Sequence, residues 1–194
     1  MFWRRCPSSQ EVEQFLDDSR SLPLSYGRIG ITREDRPRGR LDEHVVIIGH
    51  GSSDFERASR ALEEWKHFDL SWVRLFPRHA PIDVGTIVAV RIRHLGFWSL
   101  NGARVVYQVK DASRFGFAYG TLTNHAEHGE ELFEVSIDPK TGEVAYRIRA
   151  VSWPQALLAR MGYALVRHMQ ARFRRDSAAA MAPTPSASPT LGKH

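Results

Sequence analysis

A series of segments between residues 70 and 151 has the alternating pattern of β-strands, and a long amphipathic segment follows them. The predicted strands cover residues 70–76, 84–93, 104–111, 115–122, 131–138 and 143–151. In segment 104–111, Val105, Tyr107 and Val109 alternate with polar residues, which predicts one buried and one wet face. The connector PKTG, residues 139–142, is typical of a hairpin turn. The pattern therefore predicts an antiparallel meander.

The segment at residues 154–175 has the periodicity of a helix with one wide apolar face. Its apolar stripe consists of Leu158, Met161, Leu165, Met169 and Phe173. The predicted sheet is the only large surface that can receive this stripe. We therefore predict an α+β fold in which a curved antiparallel β-sheet grips a long C-terminal α-helix, the helix-grip architecture of START-like proteins. Small residues at 116, 118 and 120 favour strong curvature of their strand.

Two helices and one strand are predicted before the meander. The first helix begins near Ser8 or Ser9, and a β-branched strand covers residues 44–50. A second helix follows, with Ser52 or Ser53 as its N-cap. Residues 28–40 are predicted to be a loop, because proline, glycine and charges occur there without a period.

Composition is that of a single globular domain. The 194 residues are 42% hydrophobic and 25% charged, and no apolar run approaches the roughly 20 residues that span a bilayer. A single cysteine excludes an internal disulfide, and with no signal peptide evident we expect a cytoplasmic location. We predict one domain over residues 1–176 and a disordered Ser/Ala/Pro-rich tail over residues 177–194.

Several long stretches carry a resemblance to a known family. They include LPLSYGRIGITR (22–33), GHGSSDFERASRALEEWKHFDLSWVRLFP (49–77), GTIVAVRIRHLGFWSLNGARVVY (85–107), FGFAYGTLTNHAEHGEELFEV (115–135) and LARMGYALVRHMQARFRRDS (158–177). Together they resemble the domain-of-unknown-function 1990 family of bacteria and plants. The resemblance implies the helix-grip fold and specifies no reaction. Two turns depart from the family pattern: Tyr26-Gly27 stands where the family has Tyr-Pro, and Thr123-Asn124 where it has Pro-Gly.

A cavity between the sheet and the C-terminal helix is the predicted binding site. Hydroxyl groups among apolar walls suit a small apolar or amphipathic ligand, although the same tyrosine hydroxyls could reach the rim and bond only water. The predicted lining residues are Trp72, Thr86, Tyr107, Phe117, Tyr119, Thr121, Glu131, Tyr146, Met161 and Leu165. Trp65, Trp72 and Trp98 either line this cavity or fill it.

Glu131 and His125 are the candidates for acid–base chemistry in the same cavity. Glu131 points inward and Glu130 outward if their strand begins early, whereas both are wet if it begins at Leu132. A carboxyl group buried among aromatic rings would have a raised pKa. His125 either caps the turn or edges the cavity. A metal site at His125 and His128 is disfavoured, because their spacing is not that of helical ligands.

Other functional classes find weaker support. GHGSSDFE, residues 49–56, lacks the Gly-Lys-Ser/Thr ending of a phosphate loop, and no dinucleotide motif predicts a cofactor. Nucleic-acid binding is disfavoured, since stacking aromatics do not alternate with the arginines. Phe97 and Trp98, predicted on a connection, could form a peripheral membrane or protein contact together with the basic end of the last helix. The favoured interpretation is a ligand-binding protein, with an enzyme using the same cavity as the alternative.

Overall fold

The computed structural model describes residues 1–153 and 163–183, with side chains from residue 167 onward in the second segment. An antiparallel sheet dominates this part of the chain. Its strands are β1 (Phe2–Trp3), β2 (Arg40–His50), β3 (Val73–Phe76), β4 (Ile87–Arg93), β5 (Trp98–Lys110), β6 (Arg114–Thr121), β7 (His128–Ile137) and β8 (Glu143–Trp153). The order across the sheet is β2-β8-β7-β6-β5-β4-β3, and β1 pairs with the start of β5.

Three helices complete the described chain, together with 3₁₀ turns at Ile31–Arg33 and Lys66–Phe68. They are α1 (Ser9–Ser19), α2 (Ser52–Glu63) and α3 (Tyr163–Met181). The Ser8 hydroxyl accepts the amide of Glu11, and the Glu11 carboxylate accepts the amide of Ser8, so a capping box starts α1. The N-cap of α2 is Gly51 and not the predicted serine. Gly51 adopts a φ of 81°, a backbone conformation that glycine takes up more easily than serine does.

The sheet curls around one buried core on its concave face, where α2, the Lys66–Phe68 turn and α3 pack. Phe117, Phe133 and Tyr146 are fully buried in this core. Helix α1 and the segment from Leu24 to Thr32 cover parts of the opposite, convex face. This arrangement is the helix-grip fold, so the predicted fold class is confirmed. Among the described residues, no helix has both the length and the apolar character required to cross a bilayer.

A β-bulge in β5 reverses the predicted alternation of that strand. Val105 pairs with Tyr119 and Tyr107 with Ala118, so Val106 is an extra residue between them. Val105 consequently lies in the concave core, whereas Val106, Tyr107 and Val109 pack on the convex face. The prediction that Tyr107 and Val109 share the face of Val105 is therefore wrong.

Small residues in β6 allow close approach on the convex face. A Cβ atom at Gly120 would lie 2.3 Å from the Tyr26 hydroxyl oxygen, and one at Gly116 would lie 2.3 Å from the Phe133 carbonyl oxygen. Both distances are far below van der Waals contact. Glycine at these positions thus lets the neighbouring strand and the Leu24–Thr32 segment press against β6.

Helix α3 extends beyond the predicted domain boundary. Ser177, Ala178 and Met181 are helical and buried, so the tail predicted to start at residue 177 starts too early. Residues far away in the chain hold this end of the helix. The Tyr146 and Ser177 hydroxyls lie 2.9 Å apart, and Arg57 donates a hydrogen bond to the Met181 carbonyl. Residues 154–162, which include predicted helical positions, and residues 184–194 lie outside the described part.

Candidate functional site

A cavity of about 170 Å³ lies between the concave face of the sheet and α3. Its walls are mainly apolar. They include Phe68, Trp72, Val73, Val90, Ile92, Met169 and Phe173. The strands supply their inward-facing residues by simple alternation, and α3 supplies Met169 and Phe173, four positions apart on one helix face.

One end of the cavity is polar and is built by β6, β7 and the turn that joins them. Strand β7 begins at His128, so Glu131 lies on the concave face opposite Tyr119 of β6. The Tyr119 hydroxyl donates to Oε2 of Glu131 over 2.8 Å. Burial raises the pKa of the Glu131 carboxyl to about 7, against the lowering effect of the tyrosine hydrogen bond.

Glu127 is a second carboxyl group at this polar end. Its Oε1 accepts a hydrogen bond of 3.0 Å from the Gln170 side chain of α3. Burial is the main cause that raises the pKa of Glu127, and Asp42 of β2 adds to it. The charge of Glu127 in turn contributes to the raised pKa of Glu131, so the two carboxyl groups are electrostatically coupled.

His125 contacts the backbone of its own turn and also lines the cavity. The amide of Glu127 donates to its Nδ1 over 2.9 Å. Burial lowers the pKa of His125 to about 3, which keeps the imidazole neutral at physiological pH. A base with so low a pKa is poorly matched to proton transfer near neutrality. Among the described residues, no group of three or more His, Cys, Asp or Glu side chains is placed to hold a metal.

The structure brings only part of the predicted site together. Trp72, Tyr119, Thr121 and Glu131 line the cavity. The remaining predicted residues do not line it within the described part of the chain: Phe117 and Tyr146 fill the core, Tyr107 faces the convex side, and Thr86 lies in the turn before β4. Met161 lies outside the described residues, as does the side chain of Leu165.

Several lining residues were not predicted, among them Glu127, Gln170, His94 and Asn101. Gln170 is the residue after Met169 and lies three positions before Phe173, so it borders the apolar stripe of the helix. This position was a signal in the sequence that could have predicted Gln170 as a lining residue. Glu127 lies in the turn before β7, where strand alternation gives no direction for a side chain. Its position depends on the contact with Gln170, 43 residues away in the chain.

Phe97 lies on the connection between β4 and β5, as predicted, whereas Trp98 does not. Trp98 is the first residue of β5 and pairs with Trp3 of β1. The guanidinium groups of Arg91 and Arg93 lie 5.3 and 5.7 Å from its ring centroid. Phe97 stacks on His94 with ring centroids 4.4 Å apart. Both rings are only half-buried, but each already has an aromatic or cationic partner.

His67 is fully buried beside the cavity wall, within a group of aromatic rings. Its ring lies 4.5 Å from Phe133 and 5.7 Å from Trp65, centroid to centroid. Neither ring nitrogen has a hydrogen-bond partner among the described residues. Burial lowers the pKa of His67 to about 3. A proton therefore binds His67 far more readily in the unfolded chain.

The buried histidines and Glu131 predict opposite effects of pH on stability. His67 has a depressed pKa, so its contribution destabilises the fold as the pH falls from 6.5 towards 3. Glu131 has a raised pKa, so its contribution destabilises the fold as the pH rises from 4.5 towards 7. The two pH ranges overlap between pH 4.5 and pH 6.5. In this window we expect His67→Phe to reduce the slope of the unfolding free energy against pH by about 1.4 kcal/mol per unit, and Glu131→Gln to increase that slope by about the same amount. Urea unfolding at several pH values tests this, and parallel curves for all three proteins would contradict it.

Comparisons with known proteins agree with this architecture. Among solved structures, the hypothetical protein jhp0584 from Helicobacter pylori superposes with a TM-score of 0.54 at 10% identity, covering 83% of this chain and 98% of that one. The di-domain ARO/CYC StfQ from the steffimycin biosynthetic pathway superposes with a TM-score of 0.50 at 9% identity, covering 73% of this chain and 48% of that one. At such low identity these likenesses concern the fold alone.

Relatives found by sequence similarity identify the family of the chain. A UPF0548 protein of Dictyostelium discoideum is 32% identical, covering 91% of this chain and 92% of the relative. The UPF0548 protein At2g17695 of Arabidopsis thaliana is 31% identical, covering 92% of this chain and 94% of the relative. The model of the family described as "Domain of unknown function (DUF1990)" matches residues 25–180. The chain therefore belongs to the DUF1990 family.

Proposed function

We propose that the protein binds a small amphipathic molecule in the cavity between the sheet and α3. The observation that carries this proposal is an apolar cavity with its ionisable groups gathered at one end, around Glu131 and Tyr119. Such an arrangement orients a ligand that has an apolar body and one polar group. The volume of about 170 Å³ is close to the ~150 Å³ of an engineered cavity that binds benzene, so the buried part of the ligand is about one aromatic ring.

Apolar burial would supply most of the affinity. At about 25 cal/mol per Å², a ligand that buries roughly 150 Å² of apolar surface gains about 4 kcal/mol before association costs. The polar end contributes selectivity, because Glu131 and Glu127 each accept only one side-chain hydrogen bond from the described residues, and a ligand that donates to them is favoured over one that does not.

Native mass spectrometry of the purified protein, followed by denaturing extraction, tests this proposal. We expect a retained small molecule, or a rise in melting temperature with small aromatic compounds. Met169→Trp should abolish either signal, because Met169 lines the cavity and the larger ring would fill it. Ala171→Trp is the matched control, since Ala171 is exposed on the same helix. A wild-type protein that binds nothing, or equal binding by both variants, would count against the cavity as the binding site.

Acid–base catalysis on the bound molecule is the second candidate function. Its support is the Glu131 pKa of about 7, which lies in the range where a carboxyl group exchanges protons efficiently at neutral pH. Glu131 is the better candidate for this role, because His125 has a pKa of about 3 and its Nδ1 already accepts an amide. Once a bound molecule is identified, its chemical conversion by wild type and by Glu131→Gln decides between carrier and enzyme.

A further inference from the structure

The two carboxyl groups at the polar end of the cavity have few partners. Glu131 accepts one hydrogen bond, from Tyr119, and Glu127 accepts one side-chain hydrogen bond, from Gln170. Within the described residues, neither carboxyl group makes an ion pair. Each therefore has an oxygen that accepts nothing from the described side chains. A partly buried carboxylate without a counter-ion is less stable than one in water, so this end of the cavity favours a positive charge.

In the described part of the chain, the surrounding charged groups do not supply a positive charge that pairs with Glu131 or Glu127. Groups that influence Glu131 or Glu127 are Tyr119 of β6, Tyr146 of β8, Asp42 of β2, and Arg167 and Arg174 of α3. His125 and His128 also lie at this end of the cavity. Arg167 is committed to Asp42 at 2.8 Å, and Arg174 lowers the pKa of Glu131 without forming an ion pair with it. Desolvation exceeds these attractions, since the pKa values of both glutamates are raised.

We propose that the ligand is a primary amine with an apolar body of about one aromatic ring, and that its ammonium group binds at Glu131 and Glu127. The apolar body would lie among Phe68, Trp72 and Phe173. This inference rests on the proposed ligand-binding function and narrows it to one chemical class. A carboxylate ligand would face two acceptors of its own charge, and a neutral alcohol could donate a hydrogen bond but supply no charge.

The pH dependence of binding distinguishes these classes. An alkylammonium group stays protonated below about pH 9, as the lysine reference value of about 10.4 indicates. Its affinity should rise with pH as Glu131 ionises, since the cation binds the carboxylate form. The affinity of a carboxylate ligand should fall over the same range.

The test uses three probes of the same shape on the full chain: 2-phenylethylamine, 2-phenylethanol and phenylacetate. Isothermal titration calorimetry at about pH 5.5 and about pH 8 should show the amine binding best, with about tenfold higher affinity at the higher pH. Glu131→Gln should remove most of that pH dependence and weaken amine binding about tenfold. Glu134→Gln is the matched control, because Glu134 is on the same strand but lies on the convex face near Arg147.

Circular dichroism establishes that each variant is folded, and Tyr119→Phe provides a second variant that retains the carboxyl group. Tyr119→Phe should keep the preference for the amine. Stronger binding of phenylacetate or phenylethanol, or amine binding that does not rise with pH, would overturn the amine assignment while leaving the ligand-binding proposal intact. Failure of all three probes to bind the wild type would count against both.

Discussion

Replacing Glu130 with glutamine is expected to lower the free energy of unfolding by about 3 kcal/mol, one of the largest single effects in this protein. The Glu130 carboxylate is buried on the convex face and accepts hydrogen bonds from the Tyr26 hydroxyl, the amides of Gly30 and Thr32, and the Thr32 hydroxyl, at 2.5–3.1 Å. A glutamine has one acceptor oxygen, and its NH₂ group would face donors. At least two buried donors would then lose their partner.

The neighbouring Glu131→Gln substitution is the matched comparison. Glu131 accepts one side-chain hydrogen bond, and burial raises its pKa to about 7. A neutral amide removes the cost of keeping a charge there, and this gain offsets the changed hydrogen bond to Tyr119, so we expect no loss of unfolding free energy at about pH 8. Urea unfolding of both variants measures the difference. Equal losses would mean that the hydrogen bonds from the Tyr26–Thr32 segment do not hold the fold.

Deleting the chain after Asp176 is expected to cost about 3–5 kcal/mol of unfolding free energy. The deletion removes Met181 and Ala178 from the concave core, and it removes the Ser177 hydroxyl that lies 2.9 Å from that of Tyr146. It also removes the Met181 carbonyl, which accepts from Arg57 of α2. The predicted domain boundary at residue 176 would leave such a protein intact, so the experiment separates the two descriptions.

Deletion after Pro183 provides the control for this truncation. It leaves all of α3 in place and removes only residues 184–194, so we expect its stability to be unchanged. Met181→Ala alone should account for about 3 kcal/mol of the larger loss, because Met181 is fully buried. Thermal and urea unfolding of the three proteins measure these terms. A truncation at 176 as stable as the control would falsify the structural role of the helix end.

The amino-acid sequence determined the features that depend on local periodicity. Alternation of period two predicted the meander from β3 to β8, and a period of about 3.6 predicted the C-terminal helix that closes it. The same alternation predicted opposite faces for Glu130 and Glu131 on the condition that β7 begins early, and β7 does begin at His128. The order from β3 to β8 followed as well, because successive antiparallel strands joined by short turns are neighbours in the sheet, whereas the pairing of β2 with β8 did not.

Tertiary structure alone decided which of these faces became a site. The extra residue at Val106 depends on the register with β6, and it moved Tyr107 away from the cavity. Glu130, read from the sequence as outward, is buried because a segment about 100 residues earlier in the chain covers it. No periodic pattern predicts that His67 is buried. The last turn of the C-terminal helix, SAAAM at residues 177–181, has one large apolar residue, which is too few to predict that it packs in the core. In each case the decisive partner lies far away in the chain, where periodicity within a single segment carries no information.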